Sequence, residues 1–174
     1  MSTDSKETEN NLGYIFASLL LRLWLGVRAL QTGIEKFAGT TMSDQPVAPD
    51  GKVYDAALTV EASAKGYSMA NYHGIPEALR TTFEKEPLMT TWALNIYDMV
   101  LGPALIILGL TILLGLASRV SLFLLGLLYV SLTFGLILIK QDAGVAWLAV
   151  HMVMIVLALA WAEHNRFCVF LKKW

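Results

Sequence analysis

The chain has 174 residues, 56% of them hydrophobic and 16% charged, with a formal net charge of −1. A soluble domain carries about 25% charged residues, so the composition points to a membrane solvent, and the near-neutral balance offers nucleic acid no basic surface. Cys168 is the one cysteine, which excludes an intrachain disulfide, a CxxC redox pair and a multi-thiolate metal site.

The first residues, up to Leu12, are polar and mildly acidic. They lack the basic leading region of a signal peptide, and no A-x-A-like site follows the apolar run after them, so that run is expected to be retained as a helix. A bilayer core about 30 Å thick is crossed by about 20 apolar residues in a helix. Four stretches reach that length: 13–36, 91–117, 119–139 and 143–163. The connections after the second and third are a few residues long, which makes antiparallel neighbours. The sequence therefore predicts an all-α membrane protein, an antiparallel bundle of four transmembrane helices in a single membrane domain over residues 1–174. A roughly 50-residue extramembrane loop, 38–90, separates helices 1 and 2.

Within that loop Pro49-Asp50-Gly51 reads as a turn. Ile75, Leu79 and Phe83 recur at helical spacing after Pro76, which predicts a short amphipathic helix. It lies on the membrane surface, caps the bundle, or packs inside a small extramembrane domain. Lys6, Arg119, Arg166, Lys172 and Lys173 gather on the side that holds both termini. Excess Lys and Arg marks the cytoplasmic face, so both termini are expected there, with loop 38–90 on the far side. Trp92, Trp147, Trp161, Trp174, Tyr14 and Tyr97 sit near span ends, where aromatic belts form.

A charge at mid-bilayer costs at least about 2.5–3.5 kcal/mol on insertion scales, so ionisable residues inside the spans stand out. These are Arg22 and Arg28 in the first, Asp98 in the second and His151 in the fourth. At about 1.5 Å rise per residue, Arg28, Asp98, Thr133 and His151 all fall about 8–12 Å beneath the loop-side surface, and Arg22 lies about one and a half turns deeper. All four helices thus bring a polar group to one layer under the loop. Two readings of that layer are open. In one it is a pocket, with an Arg28–Asp98 ion pair and with His151 or Arg22 meeting the polar head of a lipid-soluble ligand. A quinone carbonyl suits such a donor and a group able to pass a proton. In the other reading the same residues are structural and hold the helices in register or contact a partner subunit.

Small residues line the same faces: Gly26, Ala29 and Gly33 follow Arg22, and Gly102 and Gly109 follow Asp98. Such residues let helices approach closely in lipid, so these faces are expected to point inward. Pro103 is placed to kink the second helix. Glu35 and Lys36 close the first span as an interfacial ion pair or a snorkelling lysine. His164 and Asn165 follow the fourth span and read as a solvated helix end. The three histidines are too dispersed for a metal site, and one intramembrane histidine cannot supply bis-His haem ligation.

Arg22-Leu23-Trp24-Leu25-Gly26, followed by Gly33-Ile34-Glu35-Lys36-Phe37, resembles the RL-x-x-G…G-x-x-K-F signature of the DoxX/DoxD family. Asp98, Gly102 and Gly109, with the ending Leu114-Gly115-Leu116-Ala117-Ser118-Arg119, are similar to that family's second helix and its basic turn. The family often has Glu where Asp98 stands and a carboxylate near the position of His151. Its minimal members also have a shorter first loop. The resemblance implies a four-helix subunit of a bacterial inner membrane associated with quinone-linked electron transfer, related to the small subunit of thiosulfate:quinone oxidoreductase. It implies other membrane or periplasmic subunits as partners, beside the lipid bilayer, and a quinone as the one cofactor candidate, with none bound covalently. The alternative is a non-catalytic accessory subunit of a larger respiratory or photosynthetic complex. A transporter is least supported, since paired broken helices and repeats are absent from the sequence.

Overall fold

The structure is a computed structural model that describes residues 3–46 and 59–165. Four of its helices are long and apolar enough to cross a membrane. Helix α1 runs Thr3–Glu35, with its apolar stretch at Leu12–Glu35. The other three are α3 (Thr91–Leu114), α4 (Ser118–Leu138) and α5 (Asp142–Ala160). The last three lie within three residues of their sequence-based boundaries at both ends, and α1 ends at Glu35, one residue before 36, but begins ten residues before 13. Helix α1 packs against α3 and α5, and α4 packs against the same two, so the four close into a ring. Leu25, Leu105, Ile112, Leu125 and Ile155 fill its centre. Leu20, Trp24, Ile107, Phe123 and Val153 stand on the outside, more than half exposed. Apolar surface on every long helix marks contact with a lipid bilayer.

The tightest crossing joins α1 to α3. A Cβ on Gly109 would lie 2.7 Å from the Leu30 backbone nitrogen and 3.0 Å from the Gly26 carbonyl oxygen. One on Gly33 would lie 3.1 Å from the Gly102 carbonyl oxygen. The glycine faces therefore meet each other. In lipid no solvent drives helices together, and close backbone packing supplies the attraction instead. The turn from α3 to α4 is made at Gly115, whose φ of 72° is left-handed. The Leu116 amide reaches back 2.8 Å to the Thr111 carbonyl, closing the end of α3 as a left-handed glycine commonly does.

The described residues of segment 38–90 are more ordered than a polar loop. They hold a two-stranded sheet, β1 (Ala38–Pro46) and β2 (Thr59–Tyr67), antiparallel in register from Ala38 opposite Tyr67 to Pro46 opposite Thr59. This corrects the all-α expectation. Strand β2 alternates apolar and polar residues from Val60 to Lys65, a period-two pattern, whereas β1 carries no such alternation. The Pro49-Asp50-Gly51 turn lies outside the described residues. Lys65 of β2 pairs with Glu35 at 2.5 Å, fastening the hairpin to the end of α1. Glu35 thus takes its partner from the hairpin rather than from Lys36. The expected amphipathic helix is present as α2, Glu77–Phe83. Its apolar face caps the bundle: Ile75 and Phe83 are buried in a small cluster with Leu94, against which Leu79, Met89, Tyr97 and Ile139 pack.

Candidate functional site

Beneath α2 the ring of helices does not fill, and a cavity of about 500 Å³ remains. Its roof is Gly74, Ile75, Pro76, Leu79 and Phe83, and its walls come from α1, α3, α4 and α5. Most of the lining is apolar. The polar groups fall in three places.

Arg28 and Thr32 of α1, with Lys36 just past its end, follow one another at helical spacing along the wall. The Thr32 hydroxyl donates to the Arg28 carbonyl at 2.8 Å, and an Arg28 Nη1–H reaches the Gln31 side-chain oxygen at 3.4 Å. Burial pushes the Lys36 ammonium below the ordinary lysine range, and the carboxylate of Asp98 pulls it partway back. Between α3 and α4, the Tyr97 and Ser131 hydroxyls are hydrogen-bonded at 2.9 Å.

The third group is His151 on α5, 7% exposed, its ring edge-on to Tyr129 with centroids 5.8 Å apart. Its Nδ1 lies 2.8 Å from the Trp147 carbonyl one turn earlier. A carbonyl only accepts, so Nδ1 carries the hydrogen. Its Nε2 is buried and has no hydrogen-bond partner among the described residues. Leaving a buried polar atom unsatisfied costs about 1–3 kcal/mol, and such an atom on a cavity wall calls for a ligand or water.

The roof is clamped to the first turns of α3. Asp98 Oδ1 accepts from the Ile75 amide at 2.6 Å and Oδ2 from Arg80 at 3.3 Å. Arg80 also donates to Asn95 at 2.7 Å. The Tyr72 hydroxyl accepts from the Gly102 amide at 3.2 Å and donates to the Asp98 carbonyl at 2.5 Å. It also lies 3.0 Å from the Met99 carbonyl. Pro103, having no N–H, deprives that carbonyl of its helical partner. Gly74 presses so closely on α3 that a Cβ would lie 2.1 Å from the Asp98 carbonyl oxygen.

The candidate residues from the sequence are thus divided. Arg28, Lys36 and His151 line the cavity. Asp98 does not: it holds the roof, and its ion pair is with Arg80 rather than Arg28. Thr133 turns its hydroxyl back to the Tyr129 carbonyl at 2.7 Å. Their neighbours Tyr97 and Leu132 face the cavity instead. One residue is about 100° of helix rotation, which a comparison of depths does not resolve. Arg22 is buried at the opposite end of the bundle, where its guanidinium donates to Asn165 Oδ1 at 2.5 Å and Asn165 donates on to Ser118 at 3.0 Å. Asn165 is therefore an internal partner, not a solvated helix end. Tyr72, Arg80 and Tyr129 were not singled out from the sequence. Arg80, directly after Leu79 on the amphipathic helix, was the readable signal for a clamp.

Comparison with family models, with curated proteins and with solved structures finds no match.

Proposed function

We propose that the chain is a membrane subunit of a quinone-linked electron-transfer system, and that the cavity under α2 receives the head of a quinone-type ligand. The observation that carries this is His151: a buried, unsatisfied ring nitrogen on the wall of an otherwise apolar cavity. Binding sites of this kind are mainly apolar and use a few placed polar groups to orient the ligand. A quinone-type head, flat and apolar with two oxygens, suits that lining. The DoxX-like residues of the first two spans favour the same reading.

The bundle in this proposal is antiparallel. Gly26 of α1 lies by Gly109 of α3 while Gly33 lies by Gly102, which supports opposite directions for these two helices. Both termini face the cytoplasm of a bacterial cell and the hairpin and α2 face the periplasm. Electrons come from a partner subunit or a soluble donor.

The test is titration of the full chain in nanodiscs with a short-tailed benzoquinone and with its hydroquinone. Quenching of tryptophan fluorescence is followed, since Trp147 lines the cavity. Saturable quenching by at least one redox form is expected, lost on Trp147→Phe and weakened about tenfold by His151→Phe in a variant of unchanged helicity. Absence of saturable binding by either form refutes the proposal and leaves the accessory-subunit reading in its place.

A further inference from the structure

The hydrogen bond made by Nδ1 of His151 determines what Nε2 can do. With Nδ1–H committed to the Trp147 carbonyl at 2.8 Å, the neutral imidazole presents only a lone pair at Nε2. That atom is buried and has no partner among the described residues. It needs a hydrogen-bond donor from whatever occupies the cavity.

The neighbouring groups do not supply one. The Tyr97 hydroxyl is engaged with Ser131 across α3 and α4. The Tyr129 ring meets the imidazole at 88°, a contact of ring edge and face rather than of hydroxyl and nitrogen. Arg28 and Thr32 of α1 make their contacts along their own helix.

Resting on the quinone-type reading above, we propose that the cavity is selective for the hydroxyl-bearing, reduced form. A hydroquinone O–H donates to Nε2 and satisfies it. A quinone carbonyl in the same place sets one lone pair against another. A buried acceptor discriminates between two such ligands more sharply than apolar packing does, because the wrong one leaves it unpaired. Lys36 and Arg28 also line the cavity and are donors, which suits the ligand's second oxygen, an acceptor in either redox state.

Three probes of one shape test this in the full chain in nanodiscs under anaerobic conditions: a short-tailed hydroquinone, its quinone, and its dimethyl ether, which keeps the ring and loses both O–H groups. The hydroquinone is expected to half-saturate at about one-tenth the concentration of the other two. In His151→Phe the three are expected to agree within about twofold. Equal affinity for hydroquinone and quinone in the wild type overturns the selectivity while leaving the quinone-type site standing; failure of all three to bind removes the site itself. A hydroquinone preference that survives His151→Phe overturns the assignment to His151. If that variant does not fold, nitrogen NMR of histidine-labelled wild-type protein decides instead. An unprotonated Nε2 that shifts on adding hydroquinone, and not on adding the dimethyl ether, supports the proposal. A hydrogen found on Nε2 without ligand overturns it.

Discussion

The Tyr72 hydroxyl lies 2.5 Å from the Asp98 carbonyl and takes the Gly102 amide at 3.2 Å, standing between two groups that a regular helix joins directly. It lies within 3.0 Å of the Met99 carbonyl that Pro103 leaves unpaired. A residue of the roof therefore repairs a defect in a membrane helix, where no water reaches to do so. Tyr72→Phe is expected to lower stability by about 1–3 kcal/mol, read from thermal unfolding in detergent. The cost should shrink in a Pro103→Ala background, where an alanine N–H can serve the Met99 carbonyl. An additive double-mutant cycle would show that the two sites are uncoupled.

The crossing of α1 and α3 predicts a contrast between two glycines. Gly109→Ala places a methyl group 2.7 Å from backbone and should cost about 1–3 kcal/mol. In Gly126→Ala the new methyl group meets only a side-chain carbon of Ile155, at 3.5 Å, and the effect should stay within about 0.5 kcal/mol. Similar losses in the two variants would contradict the close backbone contact.

Asp98 separates charge from hydrogen bonding. Asp98→Asn keeps an acceptor for the Ile75 amide and gives up only a part-exposed ion pair with Arg80, worth about 0.2–1 kcal/mol. Asp98→Ala strands the amide as well and should cost about 1–3 kcal/mol more. Limited proteolysis of segment 64–90 measures the difference: cleavage should rise sharply in the alanine variant and slightly in the asparagine one.

Lys36 predicts a pH dependence. Its burial lowers its pKa in the folded protein below the usual 10.5. Between the lowered value and 10.5 the unfolded chain binds more protons, so stability rises with pH across that window. The penalty is fully present below the folded pKa and is gone above 10.5. Lys36→Met should therefore be more stable than the wild type at neutral pH, with the gap closing as pH approaches 10.5. A gap that is constant from neutral to alkaline pH would rule out desolvation as its origin.

The spans were legible because hydropathy over a long window depends on bilayer thickness and little else. The short helix α2 was legible because Ile75, Leu79 and Phe83 repeat at its period. Depth along each helix could be counted, and it brought Arg28 and His151 to one cavity. Rotation about each axis could not, so Asp98 and Thr133 were grouped with a cavity that Tyr97 and Leu132 line. The partners of Asp98 and Arg22 come from Arg80 and Asn165, 18 and 143 residues distant in the chain. Pairings of that range leave no local periodicity. The hairpin was legible only in part: Val60 to Lys65 alternates apolar and polar residues, whereas its partner strand β1 has no such pattern.

The position of Phe134 and Trp147 has a consequence for how any occupant arrives. Both line the cavity, and both are more than 60% exposed on the surface that meets lipid. The roof above is pinned to α3 by Tyr72, Gly74 and Asp98 and the hairpin is fastened to α1 by Lys65. On the proposed quinone-type reading, the route between Phe134 and Trp147 leads from the bilayer, and a ligand taking it dissolves in the membrane before it is bound. Its effective concentration is then a mole fraction in lipid, so half-saturation should move with the lipid-to-protein ratio even when the total ligand per volume of buffer is held constant.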